Sequence, residues 1–312
     1  MRRAIGIDVG GTKVAGLLVD EQGTVLERIE RDTPSEDAEA TVQELRRLTE
    51  DLDDRAEALG LGIAGMLDFD RGVLISSPNL PWATGLPIRD RITELVALPC
   101  LVDNDANVAA WGEFRFGAAR PYERSVLMVT VGTGIGGGII ADGRLYRGAH
   151  GFAAEIGHII VEPGGPRCGC GNRGCWEQVA SGRALDRLGA AAAERDRSIE
   201  IARLAAGNPV TGRYVADAAR DGDPVALGIF EEVGRRLGEG IAGLVNVLDP
   251  EAVVVGGGVA EEGELILEPA RRAFLDAVEA AEARPEVPIL QAALGNDAGA
   301  IGAAALALEA IA

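Results

Sequence analysis

Apolar residues in the first thirty positions come in short runs with strand character, and the spacing predicts strands over 4–7, 14–19 and 24–29. Glu21-Gln22-Gly23 turns the last two into a hairpin. Between 38 and 58 the period changes. Val42, Leu45, Leu48 and Leu52 recur among Glu, Arg and Asp at the three-to-four spacing of an amphipathic helix packed on a sheet. Continuous apolar runs at 59–65, 98–102 and 125–131 then predict buried strands, each ending in polar or glycine-rich chain. The first leads to Ser76-Ser77-Pro78-Asn79-Leu80, and the second to Asp103-Asn104-Asp105-Ala106-Asn107 and a helix carrying Trp111 and Phe114. The third leads to the glycine run 132–138, followed by a returning strand and the Asp142-Gly143 turn. Helices are predicted over 184–193 and 225–248, the latter stopped by Asp249-Pro250. A strand over 252–255 enters Gly256-Gly257-Gly258, and an alanine-rich helix over 298–311 closes the chain.

One plan, strand then glycine loop then returning strand, thus occurs near the start and again after residue 125. It predicts two similar α/β domains facing each other across a cleft, although no strict sequence repeat accompanies it. With 312 residues, 47% hydrophobic and 25% charged, the chain can bury two cores. A formal net charge of −19 argues against nucleic acid or an anionic membrane as partner, since phosphate surfaces demand a basic face. Asp8 interrupts the apolar stretch after Met1-Arg2-Arg3, and glycines break the later apolar runs, so neither an export signal nor a membrane span is expected and the cytoplasm is the expected compartment.

Candidate chemistry concentrates in 151–178, which holds three of four cysteines and one of two histidines. Cys168, Cys170 and Cys175 lie among Gly, Pro, Asn and Arg with no core to bury them, and His158 stands just upstream. Three sulfurs and an imidazole on a bendable knuckle suit a closed, structural Zn²⁺ site better than a disulfide with a spare thiol. Glu155 and Glu177 flank these ligands, so a bound ion would hold two carboxylates in position to recognise hydroxyl groups.

Elsewhere, Gly10, Gly11 and Thr12 form a turn whose backbone N–H groups can approach a phosphate, with Asp8 placed to hold Mg²⁺ through water. The single lysine, Lys13, closes that loop. It is not a Walker loop, because the motif is missing and a strand rather than a helix follows. Thr133 and Gly134 offer a second phosphate loop; 132–138 matches G-x-G-x-x-G in letters, but again a strand follows where the dinucleotide fingerprint needs a helix. Gly257 and Gly258 offer a third. Asp105, at the junction of strand and helix, is either an N-terminal capping carboxylate or a base whose ionisation the helix favours. Spacing leaves Asn79 equally open between a ligand contact and an ordinary loop residue.

Taken together, Asp8–Lys13 (DVGGTK), Asp103–Asn107 (DNDAN), Gly132–Gly138 (GTGIGGG), Glu155–His158 (EIGH), Cys168–Glu177 (CGCGNRGCWE) and Gly256–Gly258 (GGG) resemble the ROK family of repressors, open-reading-frame proteins and sugar kinases, over nearly the whole chain and in the family's order. The resemblance implies the actin-like, hexokinase-type (ribonuclease H-like) fold, with a small domain of 1–115 plus 296–312 and a larger one of 116–295 carrying the zinc segment. It implies an ATP-dependent kinase acting on the 6-hydroxyl of glucose, with N-acetylmannosamine, fructose or another hexose as the alternative acceptors. Asp105 becomes the base, and Gly65, Asn79, Asn104, Glu155, His158 and Glu177 the sugar contacts. Gly10, Gly11, Thr12, Thr133, Gly134, Gly257 and Gly258 become the nucleotide contacts, with Asp8 toward Mg²⁺; Lys13 matches a family letter without an assigned role. One ring nitrogen of His158 would bind zinc and the other a sugar hydroxyl. A homodimer or homotetramer is implied. A sugar-responsive repressor of the same family would carry a helix-turn-helix ahead of the strand that here starts at Ala4, and a polyphosphate donor would call for a basic track.

Overall fold

The structure, a computed structural model, describes residues 1–34, 37–52, 55–77 and 80–312. Asn79 lies outside them. In chain order the elements are β1 (Arg3–Val9), β2 (Lys13–Asp20), β3 (Val25–Asp32), α1 (Ala38–Asp51), β4 (Ala58–Ile63), β5 (Met66–Asp68), β6 (Val73–Ser76), α2 (Ile88–Val96), β7 (Cys100–Asn104), α3 (Asp105–Phe116), β8 (Val126–Val131), β9 (Ile135–Ala141) and β10 (Arg144–Leu145). They continue with α4 (Glu177–Ala180), α5 (Gly182–Arg195), α6 (Glu200–Ala205), α7 (Gly212–Arg220), α8 (Pro224–Leu248), β11 (Ala252–Gly256), α9 (Glu264–Ala277), β12 (Ile289–Gln291) and α10 (Ala298–Ala310).

Strands form two five-stranded sheets, ordered β3-β2-β1-β4-β7 and β10-β9-β8-β11-β12, plus the β5-β6 hairpin. In the first sheet β1, β2 and β3 are antiparallel, whereas β4 and β7 join β1 in parallel. Every residue of β4 is buried, which is why it reads as a continuous apolar run rather than an alternating one. The chain divides into two compact units. One comprises 1–128, 137–154 and 293–312, and the other 129–136 and 155–292. Relative to the expected 1–115 plus 296–312, residues 116–128, 137–154 and 293–295 fall in the first unit.

The core of the first unit is built around α10, whose residues from Ala298 to Leu308 are all buried. That helix lies on β1 and β4 and also packs on α3. Gly6 and Gly60 are direct partners in the β1–β4 ladder, and a Cβ on either would come within 2 Å of a carbonyl oxygen of α10. The two glycines therefore let the helix rest on the sheet backbone. Glu113 on α3 anchors the approach to α10: fully buried, it accepts N–H bonds from Ala118 at 2.7 Å, Ala293 at 3.1 Å and Leu294 at 2.7 Å.

Three sequence expectations change. The helix predicted over 38–58 stops at Asp51, because Ala56 and Ala58 extend the apolar spacing by chance while 58–63 pair with β1 as a strand. The glycine run 132–138 is a loop only through Gly134; Gly136, Gly137 and Gly138 belong to β9. Likewise Asp103 and Asn104 belong to β7, beyond the strand expected over 98–102, and α3 starts at Asp105. Helices α2, α6, α7 and α9 were not anticipated; all are short or carry an interior Pro269 or frequent alanine that blurs the period. No helix among the described residues is long and apolar enough to cross a membrane.

Candidate active site and metal centre

At the β7–α3 junction the chain changes from extended to helical in one residue. Asn104 caps α3, its Oδ1 accepting N–H from Ala106 at 2.9 Å and from Asn107 at 3.1 Å. Its other amide atom, Nδ2, donates to the Gly65 carbonyl at 3.1 Å, so the turn after β4 is tied to the end of β7. Asp105 follows as the first helical residue, with Oδ1 accepting its neighbour Ala106's N–H at 2.9 Å. Burial raises the Asp105 carboxyl above the ordinary range, against the pull of the backbone N–H groups. At the end of β1, Asp8 is also raised, to about 7, by burial first and by the negative charge of Asp105 second. One oxygen of Asp8 lies against Gly299 at the start of α10, where a Cβ would come within 2.7 Å of it. A buried carboxyl raised further by a neighbouring carboxylate is a natural place for a cation.

The Gly10-Gly11-Thr12 turn is held from the neighbouring strand. Gly10 N–H bonds the Lys13 carbonyl at 3.0 Å, Thr33 Oγ1 donates to the Gly10 carbonyl at 2.7 Å, and Thr33 N–H bonds the Thr12 carbonyl at 2.8 Å. Thr12 is exposed. Lys13 is placed differently from its neighbours in the loop: its ammonium pairs with Glu30 on β3, and both side chains are exposed.

In the second unit, His158, Cys168, Cys170 and Cys175 bring one nitrogen and three sulfurs within 4.8 Å of one another. Cys170 Sγ and Cys175 Sγ are 3.6 Å apart, and Cys168 Sγ is 3.6 Å from His158 Nδ1. A tetrahedral Zn²⁺ with bonds of about 2.3 Å to sulfur and 2.0–2.1 Å to nitrogen sets such ligands roughly 3.5–3.8 Å apart, so the donor set fits the ion. Short antiparallel bridges, Ile160 with Cys175 and Arg167 with Arg173, shape the knuckle. Burial pushes the Cys168 thiol up to about 12 and raises Cys175, whereas the Asn172 N–H lowers Cys170.

Around this cluster lie the carboxylates that the sequence singled out, Glu155 and Glu177. His158 Nε2, the nitrogen turned away from the sulfurs, is 4.0 Å from Glu155 Oε2. Ala154, one residue earlier than Glu155, has φ 67°, a left-handed conformation that costs a non-glycine residue energy. The Glu177 carboxylate touches Cys168 Sγ at 3.0 Å and Gln178 Nε2 at 2.9 Å, and lies over Gly134, where a Cβ would meet Glu177 Oε2 at 2.4 Å. Glu177 therefore links the knuckle to the second glycine loop. That loop is braced from behind: Ser181 Oγ and Arg183 N–H both bond the Thr133 carbonyl, at 2.9 and 3.3 Å, leaving the Thr133 side chain exposed. Gly257, with φ 89°, passes so close to β8 that a Cβ would lie 2.7 Å from the Val131 carbonyl oxygen. Thr133 and Gly258 line one cavity of about 500 Å³, with Gly182, Asp186, Thr211 and Glu262 among its other walls. Its size is that of a small-molecule site.

Residues 4–310 match the ROK family. The chain belongs to that family. A glucokinase of Streptomyces coelicolor is 42% identical over 99% of this chain and 98% of its own length, and the glucokinase of Thermotoga maritima 36% identical over 99% and 98%. Among solved structures, a ROK family glucokinase from Streptomyces griseus in complex with glucose and AMPPNP superposes with a TM-score of 0.88 at 43% identity, covering 98% of this chain and 99% of that one. The ROK protein described here thus has the actin-like, hexokinase-type α/β fold.

Some residues packed around the candidate site of this ROK chain had no sequence signal. Arg147, 44 residues beyond Asp103, donates through Nε to its buried Oδ2 at 2.7 Å, and the Arg147 guanidinium stacks 3.9 Å from the centre of the Phe69 ring. Thr33 and Asp186 look like ordinary polar residues until the fold brings them to the first glycine loop and to the cavity.

Proposed function

We infer that this protein is an ATP-dependent hexose kinase that transfers the γ-phosphoryl group of ATP to the 6-hydroxyl of glucose. The observation carrying the reading is the full-length match at 43% identity to a ROK glucokinase solved with glucose and AMPPNP. The residue chemistry agrees with it. In the first unit, Asp105 takes the proton of the 6-hydroxyl as that oxygen attacks the γ-phosphorus, and the bond from γ-phosphorus to the β–γ bridging oxygen breaks to release ADP. Asn104 and the backbone at Gly65 hold sugar hydroxyls beside it, with Asn79 as a further contact. Glu155, the His158 ring nitrogen that faces away from the sulfurs and Glu177 are further sugar contacts. Gly10, Gly11, Thr12, Thr133, Gly134, Gly257 and Gly258 supply nucleotide contacts; Lys13 is paired with Glu30.

Mg²⁺ bound with ATP supplies charge neutralisation on the phosphates, and Asp8 is the residue whose raised carboxyl such a cation would relieve. Zn²⁺ on His158, Cys168, Cys170 and Cys175 would fix the imidazole's orientation and tautomer, leaving Nε2 for substrate. Residence in the cytoplasm and assembly as a homodimer or homotetramer rest on the family resemblance.

The test is a panel of hexoses with Mg²⁺-ATP, followed by location of the phosphate on the product by NMR. Glucose gives the highest kcat/KM and a 6-phosphate, and polyphosphate in place of ATP gives negligible turnover. Preference for N-acetylmannosamine or fructose by more than about tenfold, a difference of roughly 1.4 kcal/mol in transition-state binding, would replace glucose as the substrate.

The raised carboxyls also set a pH dependence. Both Asp8 and Asp105 act ionised, and both hold their protons more tightly than ordinary carboxyls, Asp8 to about 7. Protonation as pH falls removes base and cation ligand together, so kcat/KM for glucose declines as pH drops through neutrality and levels off on the alkaline side. A profile that stays flat down to the ordinary carboxylate range, about pH 4, is the contrary result.

A further inference from the structure

We propose that Arg147 is a positioning residue for phosphoryl transfer, holding the Asn104–Asp105 turn through Asp103 so that the Asp105 carboxylate meets the sugar hydroxyl in line. The proposal rests on the reading of Asp105 as the base.

Asp103 has a side chain only 2% exposed, and its two oxygens accept three bonds: from Asn104 N–H at 2.8 Å, Asn107 Nδ2 at 2.9 Å and Arg147 Nε at 2.7 Å. A buried carboxylate is tolerated only when charge and hydrogen bonds compensate it, and Arg147 brings the charge. Its guanidinium is itself seated, stacked on Phe69 in the turn that joins β5 to β6. The chain segment leading into that hairpin starts at Gly65, whose carbonyl holds the Asn104 side chain. Asn104 is therefore gripped twice, at its backbone N–H through Asp103 and at its amide through Gly65, and Asp105 is the next residue.

With Arg147 removed, the Asp103 carboxylate is left buried without its counter-charge. It must take up a proton or turn toward water, and either change loosens the bond to Asn104 N–H. Alignment is where phosphoryl transfer is most sensitive, a displacement of about 1 Å costing on the order of a hundredfold in rate. Arg147 also begins the 147–153 loop, its carbonyl accepting Ala153 N–H at 3.1 Å, just ahead of Glu155.

Kinetics of Arg147→Ala, Asp103→Asn and the double variant, alongside thermal melts, test the proposal. Arg147→Ala lowers kcat about a hundredfold with the KM for ATP within about twofold of the parent, and the double variant is at least about tenfold faster than Arg147→Ala, because an amide at 103 no longer needs the cation. A residue needed only for folding would instead lower Tm and the active fraction without that recovery. Arg147→Ala with parental kcat, or a double variant no faster than the single, overturns the proposal. Should Arg147→Ala not fold, Arg147→Gln with and without Asp103→Asn closes the same cycle. Asp105→Asn run in parallel separates the two readings: turnover surviving in Asp105→Asn removes the base, whereas its loss beside a normal Arg147→Ala removes only the role of Arg147.

Discussion

Asp105→Asn loses about three to four orders of magnitude in kcat while binding glucose within about twofold of the parent protein. The substitution is nearly isosteric, and Asn keeps an Oδ1 for the Ala106 N–H that Asp105 now accepts. What disappears is the ability to take a proton. Two further consequences separate this from general damage. Burial raises the Asp105 carboxyl, so the folded chain holds that proton more tightly than the unfolded chain does. The charged form thus costs stability that is absent below the unfolded-state value and reaches its full size above the folded-state one; Asn removes that cost, and the variant melts higher at neutral and alkaline pH but not in acid. Because the Asp105 charge is the second cause of the raised Asp8 carboxyl, the Asp8 titration also moves down from about 7 in the variant. Isothermal calorimetry with glucose, steady-state kinetics and melts across pH check all three. Near-parental turnover in Asp105→Asn would exclude the carboxylate as base.

The second large effect concerns the knuckle. Elemental analysis finds about one zinc per chain, and Cys175→Ser loses the metal along with a large part of the stability that a structural Zn²⁺ contributes, on the order of 10 kcal/mol for a complete site. Cys175 is wholly buried and leads directly into Trp176, the largest fully buried side chain of the molecule's described residues. Trp176 Nε1 donates to the Arg236 carbonyl of α8 at 2.9 Å, and its ring occupies the space a Cβ at Gly240 would need. Releasing the ion therefore loosens the contact between knuckle and long helix and frees the His158 ring. Glucose KM is expected to rise more than tenfold, with a smaller change in ATP KM, since Ser181 and Arg183 also brace the second glycine loop and Thr33 holds the first. Full glucose affinity in metal-free protein would contradict the brace.

Glycine loops, metal ligands and long periodic helices are legible because each is a local requirement. Residues within about twenty-five positions of one another supply the whole pattern: His158 to Cys175 for the ion, Val225 to Leu248 for α8, Gly10 to Thr12 for the first loop. Element ends were less legible. The helix over 38–51 was read through to residue 58, since a buried parallel strand and a buried helical face both appear as dense apolar runs. The strand residues Gly136–Gly138 looked like loop for the opposite reason, having no side chains to show the alternation.

Chain chemistry alone singled out the candidate side chains. Cysteine thiolates, an imidazole and acidic groups at fixed short spacings have few roles open to them, and the order of the motifs carries the family. Tertiary structure decided how those groups are held and what they cost. It paired Asp103 with Arg147 across 44 residues, set Lys13 against Glu30, and placed Glu113 under the chain that leads into α10. It also buried Asp8 and Asp105, which raises both carboxyls, and set Asp8 close enough to Asp105 to be raised further by its charge. Ion pairing and desolvation act through space and not along the chain, so no reading of neighbours in sequence contains them.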